Sequence, residues 1–211
     1  MQHTKTCHSV QLKKRNGQPI TVEGPVHPHA LAEYAMHPGL KAFRPPSQQH
    51  QALIEIASLE EGRIIVAREE KRLIGYATFH YPDPMERWAE GRLENLLELG
   101  GIEIAPAYRN QGLGKQLLDV AFRDPYMEHY IVITTEYYWH WDLEGTGLNV
   151  WEYRQVMEKM MSSAGLEWMA TDDPEICAHP ANALMVRFGK NVSPQSIAAF
   201  DQLRFHRRFM Y

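Results

Sequence analysis

The sequence contains few cysteines, no long apolar run and no excess of positive charge. Cys7 and Cys177 are the only cysteines among 211 residues, which excludes a disulfide framework and a thiolate metal cluster. No apolar run approaches the length of a membrane span, and residues 1–14 lack the apolar core of a signal peptide, so we expect a cytoplasmic protein. The formal net charge of −4 argues against nucleic acid as a partner, because phosphate binding needs a basic surface.

The eleven histidines form no recognisable metal-binding pattern. None occurs in an HExxH motif or at a regular ligand spacing. His140 lies between two tryptophans, and His27, His29 and His37 lie beside or near prolines, which are contexts typical of packing and turns. We therefore expect no metal ion in this protein.

What is present indicates a globular α/β protein: 44% of the residues are hydrophobic and 23% are charged. Apolar periodicity and turn residues predict an order of strands and helices around a largely antiparallel sheet. In chain order the predicted segments are strands SVQLKK and PITVEG joined at Asn16-Gly17, helices ALAEYAM and QQHQALIEIA, strands GRIIVAREE, RLIGYATFHY and LELGGIEIA, helix KQLLDVAF, strand HYIVITTEYYWHW, helix NVWEYRQVMEKMM and strand LEWMA.

A boundary follows this pattern at Asp172-Asp173-Pro174 and His179-Pro180. Beyond it, ANALMVRF and SIAAFDQLRFHRRF are predicted to be helical. We therefore expect an N-terminal strand or hairpin arm over residues 1–19, a main domain over 20–170 and a helical extension over 171–211.

The most informative stretch is Arg109-Asn110-Gln111-Gly112-Leu113-Gly114, between strand LELGGIEIA and helix KQLLDVAF. The first amides of a helix have no intrahelical partner, and the helix dipole favours negative charge there. Glycine lets the backbone approach a phosphate closely, and arginine adds a suitable charge. The loop therefore predicts an anion site, although many loops of this kind are purely structural. It is not a P-loop, since no Lys-Ser/Thr pair follows, and it lacks the first glycine of a dinucleotide fingerprint.

The stretch IAPAYRNQGLGKQLL (104–118) resembles the pyrophosphate-binding motif of the GNAT family of acyl-CoA-dependent N-acyltransferases. The resemblance implies the GNAT fold, a mixed α/β fold with a central, largely antiparallel twisted sheet flanked by helices. It also implies acetyl-CoA as co-substrate. The residues it assigns to the pyrophosphate are Arg109, Asn110, Gln111, Gly112, Leu113, Gly114 and Lys115.

Gly100-Gly101 interrupts the strand that precedes this loop, as expected for a bulge or a close backbone approach. In GNAT proteins the corresponding strand splays from its neighbour, here 130–138, and pairs with the pantetheine arm of CoA. By that resemblance, the backbones of Ile102 and Ile104 would bind pantetheine. The alternative is that the glycines only relieve crowding.

Two carboxylates on this strand are candidates for the general base. A lysine with a pKa near about 10.4 is protonated at neutral pH, so a base must remove a proton before the amine attacks a thioester. By resemblance, Glu98 lies where several lysine-acetylating GNAT enzymes carry their base, and we favour it over Glu103. Either glutamate could instead be a salt-bridged structural residue. Tyr153 is the candidate general acid for the departing thiolate, with core packing as its alternative. In a second alignment with the family, residues 181–189 form the helix that carries the general acid, and Met185 takes the place of the tyrosine.

The resemblance extends over nearly the whole chain to one group of GNAT enzymes from Gram-positive bacteria. It is carried by HPGLKAFRPPSQQH, YPDPMERW, TTEYYWHWDLEGTGLNVWEYR, DDPEICAHPANALM and LRFHRRFMY. It implies a protein lysine acetyltransferase that acetylates and inactivates AMP-forming acetyl-CoA synthetase in the control of acetate and acetoin metabolism.

Acidic residues near the expected acceptor side are compatible with a basic partner, although a solvated charged loop is the commoner explanation. They are Asp83, Glu86, Glu90 and Glu94. Two other functions stay open: acetylation of a small amine such as a polyamine or amino sugar, and acyl-CoA sensing without turnover. The sequence is compatible with a monomer and with a dimer.

Overall fold

The computed structural model describes residues 2–13 and 19–206, which form nine strands and eight helices. The strands are β1 (His8–Lys13), β2 (Pro19–Gly24), β3 (Ala35–Met36), β4 (Arg63–Glu69), β5 (Arg72–His80), β6 (Leu96–Ile104), β7 (Ile131–Glu136), β8 (Glu167–Met169) and β9 (Ala183–Phe188). The helices are α1 (Pro28–Ala32), α2 (Pro46–Ser58), α3 (Arg87–Glu90), α4 (Leu113–Ala121), α5 (Leu143–Thr146), α6 (Val150–Ser162), α7 (Pro174–Cys177) and α8 (Pro194–Arg204).

The chain divides into two compact units. The first comprises Gln2–His80 and Leu99–Met127, and the second comprises Tyr81–Glu98 and the chain from Glu128 onward. Strand β6 contributes its first three residues to the second unit and the remainder to the first.

In the first unit, β1, β2, β4 and β5 pair antiparallel in that order, and the short β3 runs parallel to β5. The Asn16-Gly17 turn predicted between β1 and β2 lies outside the described residues. Strand β4 is buried on both faces, because α2 and α4 both pack against it. This explains why its sequence is a continuous apolar run. Its Ile64 and Val66 join a core with Leu31 of α1 and Leu53 of α2.

In the second unit, β6 pairs parallel with β7 over Leu96–Glu98. Strand β7 pairs antiparallel with β9, which also pairs antiparallel with β8. Strand β9 therefore lies between β7 and β8. One face of this sheet is covered by Trp88 of α3 and Phe200 of α8, whose rings stack with centroids 6.0 Å apart. The mixed, mostly antiparallel sheet with flanking helices confirms the predicted fold class.

The prediction of a helix over ANALMVRF is wrong, because Ala183–Phe188 forms strand β9. This strand has neighbours on both edges, and its first four residues are buried on both faces. A short apolar run that is buried on both faces lacks the alternation that distinguishes a strand from a helix. The alternative alignment, which placed Met185 in a helix, is wrong as well, because Met185 lies in strand β9. The predicted helix that follows is present as α8, up to Arg204.

Two other boundaries differ from those predicted. The strand expected over 129–141 ends at Glu136, and Tyr138–His140 forms a 3-10 turn in its aromatic half. The helix expected over 30–36 ends at Ala32, and Ala35–Met36 pairs with β5 instead. In the second of these segments, pairing with β5 overrides local helix propensity. The described helices are all too short or too polar to cross a bilayer.

Candidate active site

The loop between β6 and α4 has the backbone geometry of an anion site. After a 3-10 turn at Pro106–Tyr108, Asn110 and Gly112 adopt positive φ angles of 61° and 73°. Gly112 is the N-cap of α4, whose first amides donate no hydrogen bond to a capping side chain. A Cβ at Gly112 would meet nothing within 4 Å, so glycine is needed here for its left-handed backbone and not to avoid a clash. The amides that begin the helix without an intrahelical partner are those of Leu113, Gly114 and Lys115.

The side chains of this loop differ in exposure. Asn110, Gln111 and Lys115 are exposed, whereas Leu113 is buried in the core. Leu113 therefore offers only its amide to a ligand. The half-buried Arg109 donates from Nε to the carbonyl oxygen of Ile104 at 3.3 Å. This bond brings two of the predicted CoA-binding residues together and holds the loop against the end of β6.

Gly100 and Gly101 leave room for side chains that lie against β6. A Cβ at Gly100 would collide with the imidazole of His80, and one at Gly101 would lie 3.3 Å from the ring of Phe43. The relief of crowding therefore explains both glycines without a ligand. Pantetheine binding by the backbones of Ile102 and Ile104 stays a prediction.

Glu103 is a structural anchor in the first unit. Its Oε1 accepts hydrogen bonds from the backbone amides of Lys41 at 2.7 Å and Ala42 at 2.8 Å, and its Oε2 accepts one from the Tyr76 hydroxyl at 2.7 Å. Burial and the neighbouring carboxylate raise the pKa of Tyr76 well above its usual range, so the tyrosine remains a donor. Three short bonds hold this carboxylate to the loop that carries Phe43.

Glu98 has different surroundings, in the second unit. It is 7% exposed and accepts one long hydrogen bond, 3.4 Å, from the Thr135 hydroxyl of β7. Burial raises the pKa of Glu98 to about 7, the hydrogen bond from Thr135 opposes the shift, and the negative charge of Asp83 adds to it. A carboxylate that gains and loses its proton near neutral pH has the property required of a general base.

Tyr153, on α6, stacks against Trp141 with ring centroids 5.2 Å apart and an interplanar angle of 15°. It is half-buried, which agrees with the packing role left open for it. Beside this pair, Trp141 donates from Nε1 to Glu136 at 3.3 Å. Burial raises the pKa of Glu136 to about 7 as well, and a small cavity lined by Glu136, Arg154 and Met157 adjoins the carboxylate.

The structure distributes the predicted site residues between the two units. Ile102, Glu103, Ile104 and the residues from Arg109 to Lys115 belong to the first, and Glu98 and Tyr153 belong to the second. Within the described parts of the chain, no three histidine, cysteine, aspartate or glutamate side chains are grouped so that they could hold a metal ion.

Sequence reasoning did not identify three residues that donate hydrogen bonds to the two candidate carboxylates: Thr135 to Glu98, and Tyr76 and the loop residue Lys41 to Glu103. A threonine that follows another threonine near the end of a strand, and a tyrosine in a buried strand, carry no local signal of their partners. The register Glu98↔Ile133 puts Thr135 within reach of Glu98, and that register comes from strand pairing.

Comparison with known proteins identifies the family. Residues 29–146, which include the loop at 109–114, match the Acetyltransferase (GNAT) family. The chain belongs to this family, so it is an N-acetyltransferase that uses acetyl-CoA, and the resemblance stated from the sequence is confirmed.

Relatives that match over the full length indicate a narrower group than the family model does. The chain is 60% identical to the acetoin utilization protein AcuA of Bacillus licheniformis and 58% identical to that of Bacillus subtilis, over 211 residues and 100% of each protein. A crystal structure of an acetoin utilization protein from Exiguobacterium sibiricum has 57% sequence identity and a TM-score of 0.96, covering 99% of this chain and 98% of that one.

Proposed function

We propose that the protein acetylates lysine side chains of a protein acceptor, AMP-forming acetyl-CoA synthetase, with Glu98 as general base. The observation that carries the base assignment is the buried Glu98 carboxylate, whose pKa lies near 7. Because the half-protonation point lies at neutral pH, part of the protein already holds an ionised carboxylate that can accept a proton.

The proposed transfer has four steps. Glu98 takes a proton from the lysine ammonium, and the neutral amine attacks the carbonyl carbon of the thioester. The carbon–sulfur bond of the tetrahedral intermediate then breaks. The attacking nitrogen, which still carries two protons, releases one of them to solvent as acetyl-lysine forms, and CoA leaves as a thiolate that takes a proton from Tyr153 or from solvent.

Glu103 is the weaker candidate for the base. Three short hydrogen bonds already occupy its two oxygens, and two of them come from backbone amides. These bonds, together with its 5% exposure, direct the Glu103 carboxylate toward protein groups. We assign Glu103 to positioning the loop of Lys41, Ala42 and Phe43.

We assign the pyrophosphate of acetyl-CoA to the loop from Arg109 to Lys115. Its support is the left-handed backbone at Gly112 and the amides at the start of α4, which favour an anion. The backbones of Ile102 and Ile104 are the proposed partners of pantetheine.

The acceptor assignment rests on the full-length similarity to proteins named for acetoin utilization. AMP-forming acetyl-CoA synthetase produces the acetyl donor that this enzyme consumes. Acetylation of the lysine needed for its adenylation step would therefore let acetyl-CoA limit its own synthesis. The exposed acids Asp83 and Glu86, in the unit that holds Glu98, are suited to a lysine-bearing surface.

The test is labelled acetyl transfer from acetyl-CoA to purified acetyl-CoA synthetase, with mass spectrometry to locate the modified lysine. We expect label on a single active-site lysine and a matching loss of synthetase activity. Polyamines and amino sugars serve as competing acceptors. Turnover on these amines with no label on the synthetase would exclude the protein acceptor.

A further inference from the structure

Four aromatic side chains of the second unit form a connected, solvent-facing group, here called the aromatic surface: Tyr138, Trp139, Trp151 and His179. Trp139 is 49% exposed and Trp151 is 50% exposed. The His179 ring connects Tyr138 with Trp151. Its centroid lies 4.2 Å from that of the Tyr138 ring and 6.3 Å from that of the Trp151 ring. Trp139 contacts Tyr138 edge to face at 5.5 Å. Large exposed aromatic rings that touch one another are unusual on a protein surface and are typical of binding sites.

The aromatic surface is held in place by polar contacts beneath it. The amide of Tyr138 donates to the Asn182 side chain at 3.1 Å, and that side chain donates in turn to the carbonyl of Glu175 at 3.0 Å. The amide of Ala181 donates to Nδ1 of His179 at 3.1 Å. These bonds fix the two segments that carry Tyr138 and His179, so little freedom of these segments is lost when a partner binds.

This surface is linked to the proposed general base through the end of β7. Trp139 stacks on Tyr137 with centroids 4.7 Å apart and an angle of 16°. Tyr137 follows β7 directly, and Thr135, two residues earlier, donates to Glu98. A protein whose lysine reaches Glu98 therefore has the aromatic surface beside it.

The surroundings of Tyr137 are acidic. Burial, followed by the charges of Asp173, Glu175 and Glu86, raises the pKa of this tyrosine well above its usual range. Glu86 and Glu175 are exposed. An N-acetyltransferase acts on an amine, which is a cation before transfer, so acidic side chains around the aromatic rings complement a lysine with basic neighbours.

We propose that the aromatic surface is the docking site for a protein acceptor, which places its basic, lysine-bearing segment across Trp139 and Trp151. The inference rests on the proposed protein acceptor and adds where that acceptor binds. A small amine needs only the reacting carboxylate and its immediate neighbours, whereas tryptophan is enriched among the few residues that supply most of the binding energy of protein interfaces.

The experiment compares Trp139→Ala, Trp151→Ala and the control Trp168→Ala. Trp168 lies on β8 in the same unit, is 54% exposed and takes no part in the ring contacts described above. Each variant is assayed with purified acetyl-CoA synthetase and with a short lysine peptide of neutral flanking sequence. Acetyl-CoA affinity and thermal midpoint are measured to confirm that each variant is folded.

We expect KM for the synthetase to rise at least about tenfold in the two surface variants, with kcat, peptide turnover and acetyl-CoA affinity unchanged. The Trp168→Ala variant should match the wild type in every assay. An unchanged KM for the synthetase in both surface variants, or an equal rise in the control, overturns the docking site while the acceptor assignment stands. Absence of any transfer to the synthetase by the wild type overturns the proposed acceptor and the docking site with it.

Discussion

Glu98 and Glu136 show that a raised pKa alone does not identify a general base. Burial raises the pKa of both glutamates to about 7. Glu136 accepts a hydrogen bond from the Trp141 indole and adjoins a small cavity that also contains Arg154. The negative charge of Asp83 helps to raise the pKa of Glu98, and this charge also suits a cationic acceptor. The acidic surroundings of Glu98, and its position on the strand that precedes the glycine loop, favour Glu98 over Glu136 as the general base.

Replacement of Glu98 by glutamine tests this assignment through the pH dependence of turnover. Below about pH 7 the Glu98 carboxyl is protonated and cannot accept a proton, whereas above it the carboxylate is ionised. We therefore expect kcat/KM of the wild type to rise with pH through an apparent pKa near 7. Glu98→Gln should lose about 10²–10⁴-fold in kcat near neutral pH, lose that dependence, and keep its acetyl-CoA affinity.

Two matched variants control this measurement. Glu136→Gln removes the other carboxylate with a pKa near 7, and Glu103→Gln replaces the other candidate on β6. Both should retain the rise in activity near pH 7. Full activity in Glu98→Gln together with a large loss in Glu103→Gln would move the base to Glu103.

At the scale of elements, the sequence predicted the glycine loop and the helix after it, because their signals are local. The missing side-chain cap, the glycines and the helical periodicity of α4 are all readable from consecutive residues. The roles of Glu98 and Glu103 were not readable in this way. Their partners, Thr135 and Tyr76, come from other strands, so only the strand pairing distinguishes an anchored carboxylate from a weakly held one.

Replacement of Gly112 by alanine tests the loop, and Gly147→Ala is its matched control. Gly112 and Gly147 have φ angles of 73° and 68°, and a Cβ at either would meet nothing within 4 Å. Each substitution should therefore cost about 1–2 kcal/mol of stability, which is the cost of a left-handed alanine. Only Gly112→Ala should also weaken acetyl-CoA binding, by roughly tenfold, because it shifts the amides at the start of α4.

Calorimetric titration with acetyl-CoA and thermal denaturation of both variants separate these two effects. An equal loss of affinity in the two variants would mean that instability, and not the loop, weakens binding. Unchanged affinity in Gly112→Ala would remove the loop from the proposed pyrophosphate site.

At the scale of the whole molecule, the fold class was predictable because strand and helix order follows from apolar periodicity, which most of the chain displays. The prediction failed where tertiary pairing determines the structure. Strand β9 inserts between β7 and β8, although it follows β8 in sequence, and no local pattern in ANALMVRF specifies two pairing partners. The residues after 171 therefore contribute a central strand to the second unit in addition to helix α8.

Stability of the first unit depends on a buried ion pair that the sequence did not reveal. Arg63 and Asp124 are 1% and 0% exposed, with Nε and Oδ2 3.7 Å apart. Arg63 donates to the carbonyl of Thr4 at 2.8 Å, and Asp124 accepts from the amide of Thr6 at 3.3 Å. The pair therefore ties the start of the chain to β4 and to the end of α4.

Replacement of either partner should destabilise the protein strongly, because it leaves the other charge buried without its counter-ion. We expect Arg63→Met and Asp124→Asn each to cost about 3–5 kcal/mol in urea denaturation. The control is Asp119→Asn, which breaks an ion pair of 2.8 Å with Arg123 whose side chains are 47% and 45% exposed. Exposed pairs of this kind contribute about 0–1 kcal/mol, so the control should unfold nearly as the wild type does. Equal urea midpoints for the buried and exposed variants would show that water or another group compensates the buried charge, and that the arm is held by its strand pairing alone.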